Sequence, residues 1–141
     1  AAAAADMPIL AECGGFLYLL ENLRDRSGKG YPMCGIITGE AAMQERSPRF
    51  GYMQLEAMQD TLLCEKGACI SAHEFHYSDT NNNGNAFFAN KGQKSWPCIH
   101  AKGNLFAGYP HIHWGGNVQL PIHFVNKCHQ FQCNRIKKQE V

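Results

Sequence analysis

The apolar positions near the start of the chain change from a continuous run to a helical spacing. Residues 7 to 11 form a short apolar run, which is typical of a buried strand in a parallel sheet. Two glycines follow shortly after it, and apolar residues then recur at helical intervals from Phe16 to Leu23, ahead of a basic stretch that contains glycine. The pattern predicts a strand, a tight turn at Cys13 and a helix.

The rest of the chain is predicted to be rich in strand until a closing helix. Residues 31–39, 49–56 and 68–79 are apolar or aromatic runs bounded by turn residues, which indicates strands. Residues 78–93 are rich in Asn and Gly and predict a loop between two strands. Residues 120–141 carry apolar residues at helical intervals and a basic end, so we expect a helix there.

Composition and charge narrow the class of protein. A chain of 141 residues suits a single domain, residues 1–141, and 45% apolar with 18% charged residues is ordinary for a globular protein. The net charge of +1 gives no electrostatic footprint for nucleic acid or anionic lipid. No apolar run approaches the roughly 20 residues of a membrane helix and no secretory signal opens the chain, so we expect a cytoplasmic protein that binds neither nucleic acid nor membrane.

The turn at Cys13 provides what a nucleophilic thiol needs. A strand-to-helix turn lifts the side chain out of the sheet, the small residues Gly14 and Gly15 let a carbonyl approach, and a helix start favours the thiolate. The related serine arrangement has glycine on both sides of the nucleophile, whereas Glu12 precedes Cys13. From the turn alone, a nucleophile and a buried core thiol remain equally good interpretations.

Histidines supply candidate bases, and cysteines supply a rival chemistry. Histidines concentrate in "HEFHYS", residues 73–78, and in "YPHIH", residues 109–113, where an extended backbone would point His111 and His113 the same way. The chain has seven cysteines, an odd number that favours reduced thiols. None of the close cysteine and histidine pairs has the spacing typical of structural zinc, so a metal site is the less favoured alternative and we expect none.

Six segments occur in the order found in a known family. They are "PILAECGGFLYL", "YPMCGIITG", "RFGYMQLEA", "HEFHYSD", "AGYPHIHW" and "FVNKC". Together they resemble the C-terminal glutaminase domain of cobyrinic acid a,c-diamide synthase. The resemblance implies a class I glutamine amidotransferase-like, flavodoxin-like α/β sheet with helices on both faces. It also implies glutamine hydrolysis, with the ammonia used to amidate the a and c carboxylates of cobyrinic acid in cobalamin biosynthesis.

The resemblance assigns roles to individual residues. It implies that Cys13 is the nucleophile, that His111 is its base, and that the backbone of Gly14 and Gly15 binds the oxyanion and substrate. Many class I glutaminases carry a glutamate two positions beyond the base, where this chain has His113, so a dyad is expected in place of a triad. Possible supporting residues near the site are Glu12, His73, Glu74, His76 and His113.

The resemblance also implies partners outside these residues. It begins at the strand before Cys13, so the earlier strands of the domain and its glycine-rich loop are expected to be missing. No G-x-x-x-x-G-K-[ST] phosphate loop occurs, so ATP and magnesium are expected on an N-terminal synthase domain and no cofactor on this chain. The expected partners are glutamine, that ATP-binding domain and, through it, a corrinoid acceptor. A catalytically silent assembly domain and amidation of a related tetrapyrrole remain alternatives.

Overall fold

The strand and turn predicted near the start of the chain are confirmed, but the helix is shorter than predicted. The computed structural model describes residues 2–139, with side chains to residue 137. After a 3₁₀ turn at Ala3–Ala5, β1 spans Ile9–Glu12 and α1 spans Gly14–Leu19. Leu20 is already extended, and Leu23 belongs to a second strand instead of the helix.

The segment after the helix explains both its early end and the loss of a predicted strand. Only Gly30–Pro32 of the region around residues 31–39 is a strand, so that prediction is wrong for residues 33–39. Instead, the backbone amides of Cys34, Gly35 and Ile36 bond to the carbonyls of Tyr18, Leu20 and Leu19. These carbonyls have no partner inside the helix, so the following segment satisfies them and ends the helix.

Three sheets organise the described residues. The first has the order β1–β11–β10, with β10 at His100–Lys102 and β11 at Leu105–Gly108. The parallel pairing of β1 with β11 places Glu12 opposite Gly108. In the third sheet, the order is β3–β2–β4–β7, with bounds Gly30–Pro32, Asn22–Arg24, Glu40–Met43 and Ser78–Thr80.

The second sheet is antiparallel and carries the larger core. Its order is β12–β6–β5–β8–β9, with bounds His111–Ile112, Cys69–Phe75, Phe50–Ala57, Phe87–Lys91 and Lys94–Cys98. Exposed and buried residues alternate strictly along β5, so one face of the sheet packs inward and the other faces solvent. The predicted loop over residues 78–93 is wrong in part, because it contains β7 and β8, and Phe87 and Ala89 of β8 are core residues.

The closing helix is confirmed within the described residues. A 3₁₀ turn at Trp114–Gly116 leads into α2, Gln119–Gln139, and residues 140 and 141 of the prediction lie outside the described range. Only its first turns join the core, through Leu120 and Phe124. Across residues 2–139, no helix combines the length and apolar character needed to cross a membrane. Sheets and helices together give the mixed α/β class that the sequence predicts.

A tight backbone crossing holds the end of β11 in place. Gly84 and Ile99 form an isolated bridge, both with positive φ, at 75° and 66°. Ile99 also packs closely against Gly108 at the end of β11. The carbonyl of Gly108 accepts a hydrogen bond from the amide of Cys13 at 2.8 Å. The crossing therefore fixes the strand end that positions the turn at Cys13.

Replacing Gly84 with alanine is expected to destabilise the protein by roughly 3 kcal/mol or more. Its φ is +75°, and a Cβ would meet the carbonyl of Ile99 and lie 2.6 Å from the amide nitrogen of His100. Gly28→Ala is the matched control, because Gly28 has φ +85° but no atom within 4 Å of the added Cβ. That control should lose only about 1–2 kcal/mol in chemical denaturation. Equal losses would contradict the packing argument.

Candidate active site

Cys13 occupies a strained turn between β1 and α1. Its backbone has φ 49° and ψ −106°, a conformation that residues other than glycine rarely adopt. The conformation is held from both sides, because the amide bonds to Gly108 and the carbonyl accepts the amide of Leu17 at 3.0 Å. The predicted turn is therefore present, and it presents a half-buried thiol.

The surroundings of the Cys13 thiol have opposing electrostatic effects. Burial is the main cause that raises its pKa, and the negative charges of Glu74 and Glu12 raise it further. A hydrogen bond from the backbone of Gly14 lowers it. Gly14 is exposed, and a Cβ placed there would meet nothing within 4 Å. An exposed N–H beside a nucleophile is suited to stabilising a developing oxyanion.

His111 follows β11, so it lies beyond the same end of the parallel β1–β11 pair as Cys13. It begins β12 three residues after Gly108, and its side chain is 45% exposed. Nδ1 of its ring lies 3.4 Å from Oε2 of Glu12. The other carboxylate oxygen of Glu12, Oε1, accepts the amide of Ile112 at 3.1 Å. The residue before the candidate nucleophile thus contacts the candidate base.

The structure brings Cys13 and His111 near one strand end without joining them directly. Both flank the β1–β11 pair, yet within the described residues no hydrogen bond links the thiol to the imidazole. Glu12, adjacent to one and in contact with the other, is the connection between them. Catalytic hydrogen bonds often become short and aligned only when substrate is bound, so this geometry remains compatible with a dyad.

Two of the predicted supporting residues of "HEFHYS", His73 and Glu74, lie on opposite faces of β6. His73 pairs with His111 and faces outward, where its ring contacts Phe50 and Tyr52 edge-on. Glu74 faces the core and is fully buried. This separation follows from the alternation of side chains along a strand. Only His73 therefore lies on the same face as His111.

Glu74 and His76 form a buried pair behind the turn. Nε2 of His76 lies 3.6 Å from Oε2 of Glu74, and neither Glu74 oxygen has a hydrogen-bond partner. The other ring nitrogen of His76, Nδ1, is 2.7 Å from the carbonyl oxygen of Ser78. The ring stacks on Tyr109 with centroids 3.7 Å apart and planes 8° from parallel. Glu74 is thus a buried carboxylate whose ion-pair contact is with the His76 ring.

Tyr109 is a site neighbour that the sequence analysis did not single out. It is buried, bonds to the hydroxyl of Ser78 at 3.1 Å, and contacts Phe16 of α1 edge-on. Burial is the main cause that raises its pKa to about 12. Its only signal in the sequence was its place before the proline of "YPHIH". It packs between α1 and the buried pair, so its role is to hold these elements together.

His113 lies on the same side as His111, as the predicted alternation requires. Both histidines line a groove of about 780 Å³ on the solvent face of the second sheet, whereas Cys13 does not. The amide of His113 donates to the carbonyl of Ser71, and its ring lies against Gly116 at the end of the 3₁₀ turn. We call this depression the outer groove; its lining residues are Tyr52, Met53, Gln54, Ser71, Ala72, His73, Asn90, Lys91, Gly92, His111, Ile112 and His113.

The cysteines and histidines are scattered in the part of the chain that the structure describes. All seven cysteines are free thiols. Among residues 2–137, no three His, Cys, Asp or Glu side chains lie close enough to hold a metal ion together. Cys98 is buried, and that burial is the main cause that raises its pKa to about 12. Cys133 lies within 3.9 Å of the ring of His129 one helical turn away on α2.

Comparison with known proteins identifies relatives over most of the chain. Residues 1–118 match the CobB/CobQ-like glutamine amidotransferase domain. The chain is 34% identical over 129 residues to the cobyrinate a,c-diamide synthase of Caldanaerobacter subterraneus subsp. tengcongensis, covering 89% of this chain and 28% of that protein. It is 37% identical over 123 residues to the cobyrinate a,c-diamide synthase of Salmonella typhimurium, covering 83% and 27%. The chain therefore spans roughly a quarter of the length of these relatives.

Alkylation of Cys13 is expected to be slow at neutral pH and to accelerate as the pH rises. Its raised pKa means that less thiolate is present at a given pH, and the thiolate is the reactive form. Peptide mass spectrometry after iodoacetamide treatment at pH 7 and pH 9 measures this. Cys69, exposed on β6, is the control and should react first at pH 7. Faster reaction of Cys13 at pH 7 would contradict the expectation.

Breaking the buried pair from one side is expected to destabilise the protein. His76→Phe preserves a ring that can stack on Tyr109 but leaves the carboxylate of Glu74 buried without a partner, at a cost of about 3–5 kcal/mol. Adding Glu74→Met should recover most of this loss, because the buried charge is removed. Denaturation of the single and double variants measures the coupling. Additive losses would show that the two side chains do not interact.

Proposed function

The chain belongs to the CobB/CobQ-like glutamine amidotransferase domain family, and on that premise we propose that it hydrolyses the side-chain amide of glutamine at Cys13. The observation that carries the proposal is the strained turn, with φ 49°, that presents Cys13 beside the amide of Gly14. Backbone strain of this kind persists where the surrounding structure over-determines it, and it is concentrated at active sites. The candidate base is His111, which contacts Glu12, the residue before Cys13.

The proposed reaction proceeds through a thioester. His111 accepts the thiol proton of Cys13, and the sulfur attacks the amide carbon to form a tetrahedral oxyanion that the Gly14 amide stabilises. The C–N bond then breaks as His111 donates the proton to the departing nitrogen, which releases ammonia. Water attacks the thioester with His111 again accepting a proton, and glutamate leaves as the thiol is restored. Gly15, exposed beside Gly14, leaves room for the substrate amide.

We further propose that the ammonia serves an amidation reaction. The two relatives described above are both named cobyrinate a,c-diamide synthase, which supports amidation of the a and c carboxylates of cobyrinic acid as the acceptor reaction. Activation of a carboxylate needs ATP, and residues 1 to 141 contain no phosphate-binding P-loop motif. We assign ATP, magnesium and the corrinoid to a separate synthase domain that receives ammonia from this one.

Glutamate release by the purified full-length protein tests the glutaminase proposal. Cys13→Ala should abolish activity, and His111→Ala should lower kcat on the order of 100-fold or more, because general acid–base catalysis contributes about that factor. Cys69→Ala is the matched control; this exposed thiol lies on β6 away from the turn and should leave kcat unchanged.

A second readout separates catalysis from folding. A chloroketone analogue of glutamine should attach to Cys13 in the wild-type protein, and Cys13→Ala should show only the background labelling of exposed thiols such as Cys69. If Cys13→Ala retains the wild-type rate of glutamate release, the assignment of the nucleophile is wrong. A folded wild-type protein that neither releases glutamate nor reacts with the analogue would instead support a silent assembly domain.

A further inference from the structure

Glu12 is placed to orient His111, and we infer that it is the positioning residue of the candidate base, in the role that a carboxylate after the histidine would otherwise fill. The inference rests on the proposed function and deepens it. One oxygen of Glu12 lies 3.4 Å from Nδ1 of His111, and the other accepts the amide of Ile112 at 3.1 Å. The site is then a triad whose acid precedes the nucleophile in the chain.

The backbone contact fixes which oxygen faces the histidine. Because Oε1 is held by the amide of Ile112, Oε2 is left pointing toward Nδ1 of the ring. A carboxylate accepts hydrogen bonds only, so it favours the tautomer with a proton on Nδ1. Nε2 then carries the free lone pair that a base needs to accept the proton of a thiol. The contact of 3.4 Å between Nδ1 and Oε2 favours this orientation and this tautomer of His111.

No other acid competes for this role among the described residues. Glu12 is the one carboxylate within 4.0 Å of a ring nitrogen of His111 in residues 2–137. Glu74, the other acid near the turn, faces the core and its ion-pair contact is with His76. His113, two positions beyond the base, lies against Gly116 and carries no carboxylate. The orienting group therefore comes from β1.

The negative charge of Glu12 has opposite effects on the two partners of the proton transfer, Cys13 and His111. Its negative charge raises the pKa of Cys13 and so opposes formation of the thiolate. When the proton passes from the thiol to His111, however, the imidazolium forms next to the same carboxylate. An opposite charge at this distance stabilises the cation, so Glu12 favours the ion pair that results from proton transfer. This effect operates only with His111 in contact.

Comparing Glu12→Gln with Glu12→Ala distinguishes a positioning role of Glu12 from a structural role. In Glu12→Gln the Ile112 amide requires the carbonyl oxygen, so the NH₂ group must face Nδ1 and donate to it. This favours the tautomer with a proton on Nε2, which cannot accept the thiol proton. We expect kcat for glutamate release to fall about 100-fold with KM changed less than about threefold. The loss of kcat in Glu12→Ala should be smaller, because the His111 ring in that variant samples both tautomers.

Two controls separate this effect from misfolding. Glu56→Gln and Glu56→Ala change an exposed β5 carboxylate that has no hydrogen bond or ion pair among the described residues, and both should retain wild-type kcat. Alkylation of Cys13 in Glu12→Gln should be at least as fast as in wild type at pH 7.5, because a negative charge near the thiol is removed. A variant that unfolds would expose all seven thiols together.

The tautomer of His111 can be read directly by ¹⁵N NMR of histidine-labelled protein. Wild type should show the proton on Nδ1, and Glu12→Gln should show it on Nε2. Wild-type kcat in Glu12→Gln, a larger loss in Glu12→Ala than in Glu12→Gln, or an Nε2-protonated ring in wild type would each overturn the inference. A wild-type protein with the Nδ1 tautomer but no glutamate release would refute the proposed function while the positioning of His111 stands.

Discussion

The parallel pairing of β1 with β11, ending in the hydrogen bond from the Cys13 amide to the Gly108 carbonyl, is the constraint on which the site depends. It places Cys13 directly after β1 and starts the segment to His111 directly after β11, at the same end of the pair. Glu12 and Ile112, 100 positions apart in the chain, are thereby brought into hydrogen-bond contact. A loop of this length is costly to close, so the pairing must be supported by the core around Phe106 and Ala107.

Local patterns predicted the elements whose own residues determine them. The turn at Cys13 follows from an apolar run and two glycines, and α2 follows from its spacing of apolar residues. The end of α1 was missed because it depends on the amides of residues 34–36, which satisfy its last carbonyls from outside the helix. Strand β8 was missed because Asn and Gly around it resemble a loop, whereas its pairing with β5 and β9 determines its structure.

The sequence names candidate residues of the site but does not indicate how they are arranged. Cys13, His111 and Gly14 were named from motifs, and the structure places them around one strand end. His73 and Glu74 lie on opposite faces because side chains alternate along a strand. Treating "HEFHYS" as one motif did not take this alternation into account. Tyr109 could not be found from its neighbours in the chain, because its importance lies in packing against His76 and Phe16, which are far from it in sequence.

Two acids of similar chemistry lie near the thiol, and their environments give them different roles. Glu74 is fully buried with no hydrogen-bond partner, and its ion-pair contact is with His76 inside the core. Glu12 is partly exposed and anchored by one oxygen, which leaves the other oxygen free to respond to the protonation of His111. Both raise the pKa of Cys13, but Glu12 contacts the candidate base His111, whereas Glu74 contacts the buried ring of His76. Position relative to that base, more than the presence of an acid, distinguishes a residue that can serve catalysis from one that serves the core.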